Sequence, residues 1–180
     1  LTYLDGASFD PQGKVWQPGE CDAPLRNHAW FWHPNQENKI RSVAELVEMY
    51  YGSVGRGCNL ILNGNIDRDG LVPEADLKRL QEFGDEIRRR FGKSIAETSG
   101  RGTAVELALA KPTAIDHVIS MEQITEGERI RQYVVEGLVG DRWTELARGQ
   151  SIGHKRIDRF APVTVTKVRL RATESVAEPV

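Results

Sequence analysis

A chain of 180 residues is long enough to bury a real core, as one domain or as two small ones. Its 24 Lys and Arg against 26 Asp and Glu leave a net charge of −2, with no basic field, so nucleic acid is not an expected partner. No apolar run approaches membrane-spanning length, so no membrane partner is expected, and no signal-peptide pattern is expected in the residues at hand.

The opening Leu1-Thr2-Tyr3-Leu4 has no initiator Met, which points to a processed or cut chain. The first informative stretch is Val15-Trp16-Gln17-Pro18-Gly19-Glu20-Cys21-Asp22, followed by Trp30-Phe31-Trp32-His33. Two acids, Glu20 and Asp22, stand behind a Trp-x-Pro turn, and half of the four Trp follow closely. A carboxyl group beside aromatic walls has its pKa raised by desolvation, as a general acid working near neutral pH requires. Flat indole faces beside acids also suit a sugar, whose C–H-rich face packs on the ring. A buried aromatic cluster behind a turn is the plainer reading. Cys21 and Cys58 allow one disulfide at most and are expected as free buried thiols. No Cys or His pair has ligand spacing, so neither a metal nor a cofactor is expected.

Ser42 and Glu45 make a capping box, and Val43, Leu46, Val47, Tyr50 and Val54 recur at helical spacing. Gly55 and Gly57 are expected to stop that helix. Asn59–Leu62 reads as a short buried parallel strand. Pro73 suits the first turn of a second helix, continued by Leu77, Leu80, Ile87 and Phe91. Helix, buried strand, polar loop, helix is the grammar of a (β/α) barrel. The loop between strand and helix holds a second pattern. Asn65, Asp67, Asp69, Gly70 and Asp76 match positions one, three, five, six and twelve of a calcium loop of the EF-hand or dockerin kind. Solvated acids in a strand-to-helix loop account for the same residues.

After a linker at 93–102 the hydrophobic period becomes two. Val105, Leu107 and Leu109 alternate with Glu106 and Ala108, and Val168 and Leu170 alternate with Lys167, Arg169 and Arg171. Between them lie Ile115–Met121, Ile130–Leu138, Trp143–Leu146 and Ile152–Ile157, the short strands expected of an antiparallel β-sandwich. The expected fold class is therefore α/β plus all-β, with units at 1–92 and 103–180.

The segment Trp16-Gln17-Pro18-Gly19-Glu20-Cys21-Asp22 with Trp30-Phe31-Trp32-His33 resembles the signature of the alpha-L-fucosidases of glycoside hydrolase family 29. The likeness continues through Ile40–Tyr51 and Ser53-Val54-Gly55-Arg56-Gly57-Cys58-Asn59-Leu60-Ile61-Leu62-Asn63. It then runs through Asp67-Arg68-Asp69-Gly70-Leu71-Val72-Pro73-Glu74 to Arg90. The resemblance implies the closing part of a (β/α)8-type catalytic barrel followed by a β-sandwich. It also implies release of terminal alpha-linked L-fucose from glycans by a retaining two-carboxylate mechanism.

By this resemblance Glu20 is the candidate acid/base, and Asp22 ranks below it as a supporting acid or a helix cap. Tyr3-Leu4-Asp5-Gly6-Ala7 is similar to the aromatic-x-Asp-Gly segment that carries the family's nucleophilic Asp, which makes Asp5 a candidate. Asp10-Pro11-Gln12-Gly13-Lys14 is similar to the loop just before the Glu motif, so Asp5 can equally belong to that loop. A barrel needs about 250 residues, and the expectation is that this chain is the C-terminal portion of an enzyme whose nucleophile lies elsewhere. Trp16, Trp32 and His33 are candidates for the fucose wall, and Asn63, ending its strand, for a substrate contact or a loop tie. The expected partners are a fucosylated glycan and the N-terminal part of the same enzyme, outside the cytoplasm. The alternative is a non-catalytic module that binds carbohydrate, or calcium through loop 65–76.

Overall fold

The computed structural model describes residues 19–180, which divide into two compact units: 19–54 with 58–94, and 55–57 with 95–180. The Asp5 and Trp16 candidates lie outside the described residues.

The first unit alternates strand and helix. β1 (Glu20–Pro24) pairs in parallel with β2 (Asn59–Asn63), register Glu20↔Asn59 through Pro24↔Asn63. Parallel neighbours need a crossover connection, and α1 (Val43–Gly52) lies within it. The Ser42 hydroxyl accepts the Glu45 N–H at 3.2 Å, while the Glu45 carboxylate accepts the Ser42 N–H at 2.7 Å. That reciprocal box satisfies two orphan donors at the helix start. The helix ends at Gly52, short of the expected Val54. Buried Ser53 folds back instead, its hydroxyl donating to the Met49 carbonyl at 2.6 Å.

α2 (Glu74–Phe91) follows β2. Its inward stripe is Asp76, Leu80 and Phe83, at four- and three-residue spacing. Leu77, expected on that stripe, is 48 % exposed because it sits one residue, about 100°, around the helix. Leu80 and Phe83 pack with Ala23, Leu25, Leu46, Met49 and Leu62. Phe91 stacks on Tyr50 at 5.5 Å between centroids and meets Tyr51 edge-on. The helices cover one face of the strand pair. Side chains alternate along a strand, so Glu20, Asp22, Ile61 and Asn63 occupy the other. Ile61 there is 45 % exposed while Leu60 and Leu62 on the helix side are half-buried, so β2 is not buried on both sides as expected.

The second unit is one antiparallel sheet in the order β3-β6-β4-β5, from β3 (Ala104–Ser120), β4 (Ile130–Val139), β5 (Arg142–Gly149) and β6 (Arg156–Ser175). The expected strands Val105–Leu109 and Ile115–Met121 are two halves of β3, which ends one residue short of Met121. Pro112 has no N–H for the ladder, and the register with β6 jumps between Ala108 and Thr113 around it. The stretch Ile152–Lys155, expected as strand, is a loop that leads into β6 at Arg156. A second sheet packed face to face on this one is not found among the described residues.

One face of the sheet buries Ile130, Tyr133, Val135, Val165 and Val168, with Leu107, Ile115, Leu146 and Leu170 against them. The Tyr133 hydroxyl donates to the Asp158 carboxylate at 2.8 and 3.0 Å, and Arg156 Nε reaches the same carboxylate at 3.1 Å. Burial, then the charge of Asp158, pushes the Tyr133 hydroxyl well above the ordinary tyrosine range. Buried Glu122 gathers three main-chain N–H groups, from Arg129, Ile130 and Gly153, at 2.7 to 3.0 Å. Three donors on one carboxylate satisfy a group that burial would otherwise destabilise. On the opposite face Glu136 bonds Arg169 and Arg171, and the Arg169 guanidinium lies 4.1 Å from the Trp143 ring centroid.

Candidate active site

Because β1 and β2 are parallel, their C-terminal ends, Pro24 and Asn63, lie side by side. The loops that leave those ends, 25–41 and 64–73, are held by bonds to each other, to the end of β2 and to α2. Leu25 N–H donates to the Asn63 carbonyl at 2.9 Å and Arg41 N–H to the Leu25 carbonyl at 3.0 Å. The Asn63 side-chain amide donates to the Trp30 carbonyl at 3.1 Å and to Asn65 Oδ1 at 2.8 Å. Asn65, 4 % exposed, donates in turn to the Ala29 carbonyl at 3.2 Å. Arg26 Nε reaches both carboxylate oxygens of Asp76, at 3.0 and 3.1 Å.

These ties hold the segment that carries the aromatic residues. Trp30 is 47 % and Phe31 79 % exposed, Trp32 is half-buried, and His33 is exposed. Phe31 and Trp30, which a plain core reading would bury, therefore stand open on the loop. His28, with a left-handed φ of 54°, opens a shallow depression of about 390 Å³ lined also by Asn27, Asn38, Lys39, Arg41 and Glu45. The Ser42 N–H bond, first, holds the Glu45 carboxyl below its ordinary value.

Asn63 and the Trp30 main chain are thus brought together, with Trp32 and His33 two and three residues further along the same loop. Glu20 is not among them. It is exposed at the first position of β1, paired with Asn59. The four residue steps to Pro24 put it about 13 Å from the Asn63 end at 3.3 Å per step. Asp22 lies halfway along the same strand face, exposed.

The calcium-loop alternative loses its ligands to other partners. Asp76 is fully buried on Arg26, and Asn65 is engaged with Asn63 and Ala29. Asp67 closes its own turn, accepting the Asp69 and Leu71 N–H groups at 2.9 and 3.0 Å, with Gly70 at φ 77°. Among the described residues no three His, Cys, Asp or Glu side chains converge. Cys21 and Cys58 are free and half-buried. Arg26 is the residue that sequence reasoning missed. The only signal was an Arg two residues past the end of β1 and an Asp in the first turn of α2, fifty positions on.

No family model matches the chain. A candidate alpha-L-fucosidase 1 from rice, Oryza sativa subsp. japonica, is 28% identical over 205 residues, covering 94% of this chain and 39% of the relative. A solved structure of a candidate alpha-L-fucosidase from Bacteroides thetaiotaomicron superposes with a TM-score of 0.92 at 44% identity, covering 94% of this chain and 40% of that one. A Ruminococcus gnavus fucosidase of glycoside hydrolase family 29, solved in complex with fucose, gives a TM-score of 0.81 at 28% identity, covering 93% and 40%. The chain therefore spans about two fifths of the length of the relatives it matches, as a C-terminal portion of them.

Proposed function

We propose, from the chain's homology along 94% of its length to alpha-L-fucosidases of glycoside hydrolase family 29, that it forms part of an enzyme that releases terminal alpha-linked L-fucose from glycans. The order β1-α1-β2-α2 supplies two successive units of a (β/α) barrel, both helices on one face. The bare face with Glu20, Asp22, Ile61 and Asn63 is then the barrel interior, closed by strands from the rest of the enzyme. In such barrels the chemistry lies at the C-terminal ends of the strands. The observation that carries the reading is the bonding of Asn63 and Asn65 to the Trp30 and Ala29 main-chain carbonyls at that end, on the loop that continues to Trp32 and His33. The sheet of 95–180 is then one layer of the sandwich that follows the barrel.

In the retaining mechanism one carboxyl protonates the leaving oxygen and a second attacks the anomeric carbon. Glu20 is the acid that the family pattern singles out, and Asp5 the nucleophile candidate within this chain. Trp16, Trp32 and His33 would wall the fucose, whose apolar methyl group calls for a flat, dry surface. Glycans carrying fucose are displayed outside the cytoplasm, and we place the enzyme there.

The test uses the complete enzyme and an aryl alpha-L-fucoside, with NMR of the first-formed sugar. Release of the alpha anomer is the expected result, and release of the beta anomer or no turnover overturns the reading. Glu20→Gln then decides the acid. A loss of about 10²–10⁴-fold, recovered in part by azide on an activated fucoside, establishes Glu20. Turnover within about threefold of the parent assigns the acid to another carboxyl nearer the Asn63 end.

A further inference from the structure

The hydrogen bonds around Asn63 go further than its position, because they settle which atoms of its amide are still free. An Asn side chain has two N–H donors and one oxygen acceptor. Its two ends look alike in electron density, so their assignment is normally a choice. Here chemistry leaves no choice. The main-chain carbonyls of Ala29 and Trp30 can only accept. The Asn65 atom 3.2 Å from the Ala29 oxygen must therefore be nitrogen, as must the Asn63 atom 3.1 Å from the Trp30 oxygen. It follows that Asn65 points its oxygen at Asn63 Nδ2, 2.8 Å away. Both N–H groups of Asn63 are then spent, one on Trp30 and one on Asn65.

What remains is the Asn63 carbonyl oxygen, which takes no hydrogen bond among the described residues. It stands at the C-terminal end of β2, on the face away from the helices, half-buried. Turning Asn65 over would set oxygen against the Ala29 oxygen and NH₂ against the Asn63 NH₂, with Asn65 only 4 % exposed.

We propose that Asn63 meets the sugar only as an acceptor, taking a hydrogen bond from one hydroxyl through its side-chain oxygen. Asn65 is the positioning residue that holds it in that sense. The proposal rests on the fucosidase reading above and deepens it. A site of this kind takes a neutral sugar bearing a free hydroxyl at the contacted carbon. It rejects a sulfate, a fluorine or an O-methyl group there, since each brings an acceptor or nothing to an acceptor.

The test measures binding of L-fucose and of its 2-, 3- and 4-deoxy and fluoro analogues to the complete enzyme by competitive inhibition. At one carbon, deoxygenation and fluorination should both weaken binding of the parent enzyme by about tenfold or more. Asn63→Ala and Asn65→Ala should each abolish that penalty at that carbon alone, and the double variant should add little to either. Retained penalties at the other carbons guard against a fold lost in the alanine variants, and Asn63→Asp, whose carboxylate would face the Trp30 and Asn65 oxygens, is no substitute for that control. A purely structural role would lower Tm in these variants and leave the deoxy penalties in place, which overturns the proposal. Binding restored by fluorine at that carbon also overturns it, since it would make the protein the donor. An enzyme that neither binds nor hydrolyses fucosides overturns both readings. An active enzyme whose Asn63→Ala variant keeps every penalty overturns this one alone.

Discussion

Arg26 Nε lies 3.0 and 3.1 Å from the two carboxylate oxygens of Asp76, and both side chains are fully buried. The pair joins the second residue beyond β1 to the first turn of α2, across 50 positions of sequence. The terminal nitrogens of Arg26 find no hydrogen-bond acceptor among the described residues. A buried ion pair draws on its mutual attraction to offset two desolvation costs, and here the arginine is only partly satisfied.

Removing one partner therefore leaves a buried charge without compensation. Asp76→Ala in the complete enzyme should lower stability by about 3–5 kcal/mol, and Arg26→Met by a similar amount. The combined Arg26→Met/Asp76→Leu variant should recover most of either loss, because an apolar pair of similar volume carries no desolvation cost. Urea unfolding of the four proteins closes the cycle. A double variant no more stable than the worse single one would show that the pair orients the loop rather than merely tolerating burial.

Tyr133 and Gly149 form a second tight contact, in the sheet. A Cβ built on Gly149 would stand 2.4 Å from the Tyr133 hydroxyl oxygen and 2.6 and 2.7 Å from ring carbons. Gly149→Ala should cost about 1–3 kcal/mol through that overlap. The cost should persist in a Tyr133→Phe background, since the ring carbons stay. Tyr133→Phe alone should cost about 1–3 kcal/mol, because buried Asp158 loses a donor. Thermal unfolding measures all three, and a Gly149→Ala penalty that vanished with the hydroxyl would place the overlap on the oxygen alone.

Glu136 carries a pH dependence. Burial raises its pKa, but the hydrogen bonds from Arg169 and Arg171 outweigh burial and hold the carboxyl below its ordinary value of 4.5. The folded state therefore binds fewer protons than the unfolded chain across that interval. The stabilisation is complete above about pH 4.5 and is lost as pH falls through the folded value. Glu136→Gln should flatten this part of the acid limb in a Tm-against-pH series. An unchanged slope below pH 4.5 would assign the acid sensitivity to other carboxylates.

Features that depend on residues within a turn of one another were legible in the chain. The Ser42–Glu45 box, the Asn59–Asn63 strand and the start of α2 after Pro73 all follow from neighbours at most four positions apart. Two-residue alternation likewise announced antiparallel strands after 102. It did not announce their length, because β3 runs through Pro112 and is held together by β6, some fifty residues away.

The amino-acid sequence by itself determined the kinship, the succession of α1, β2 and α2, and the residue types gathered near the Trp30–His33 loop. Local propensity and motif spacing suffice for those. Only the tertiary structure decided what the polar residues do. It buried Asp76 against Arg26 where spacing offered a calcium ligand, spent both donors of Asn63 on main chain and neighbour, and stationed Glu20 at the far end of its strand. Each of those outcomes turns on which atoms meet across a long stretch of chain, and such meetings are set by packing and register rather than by any pattern along the sequence.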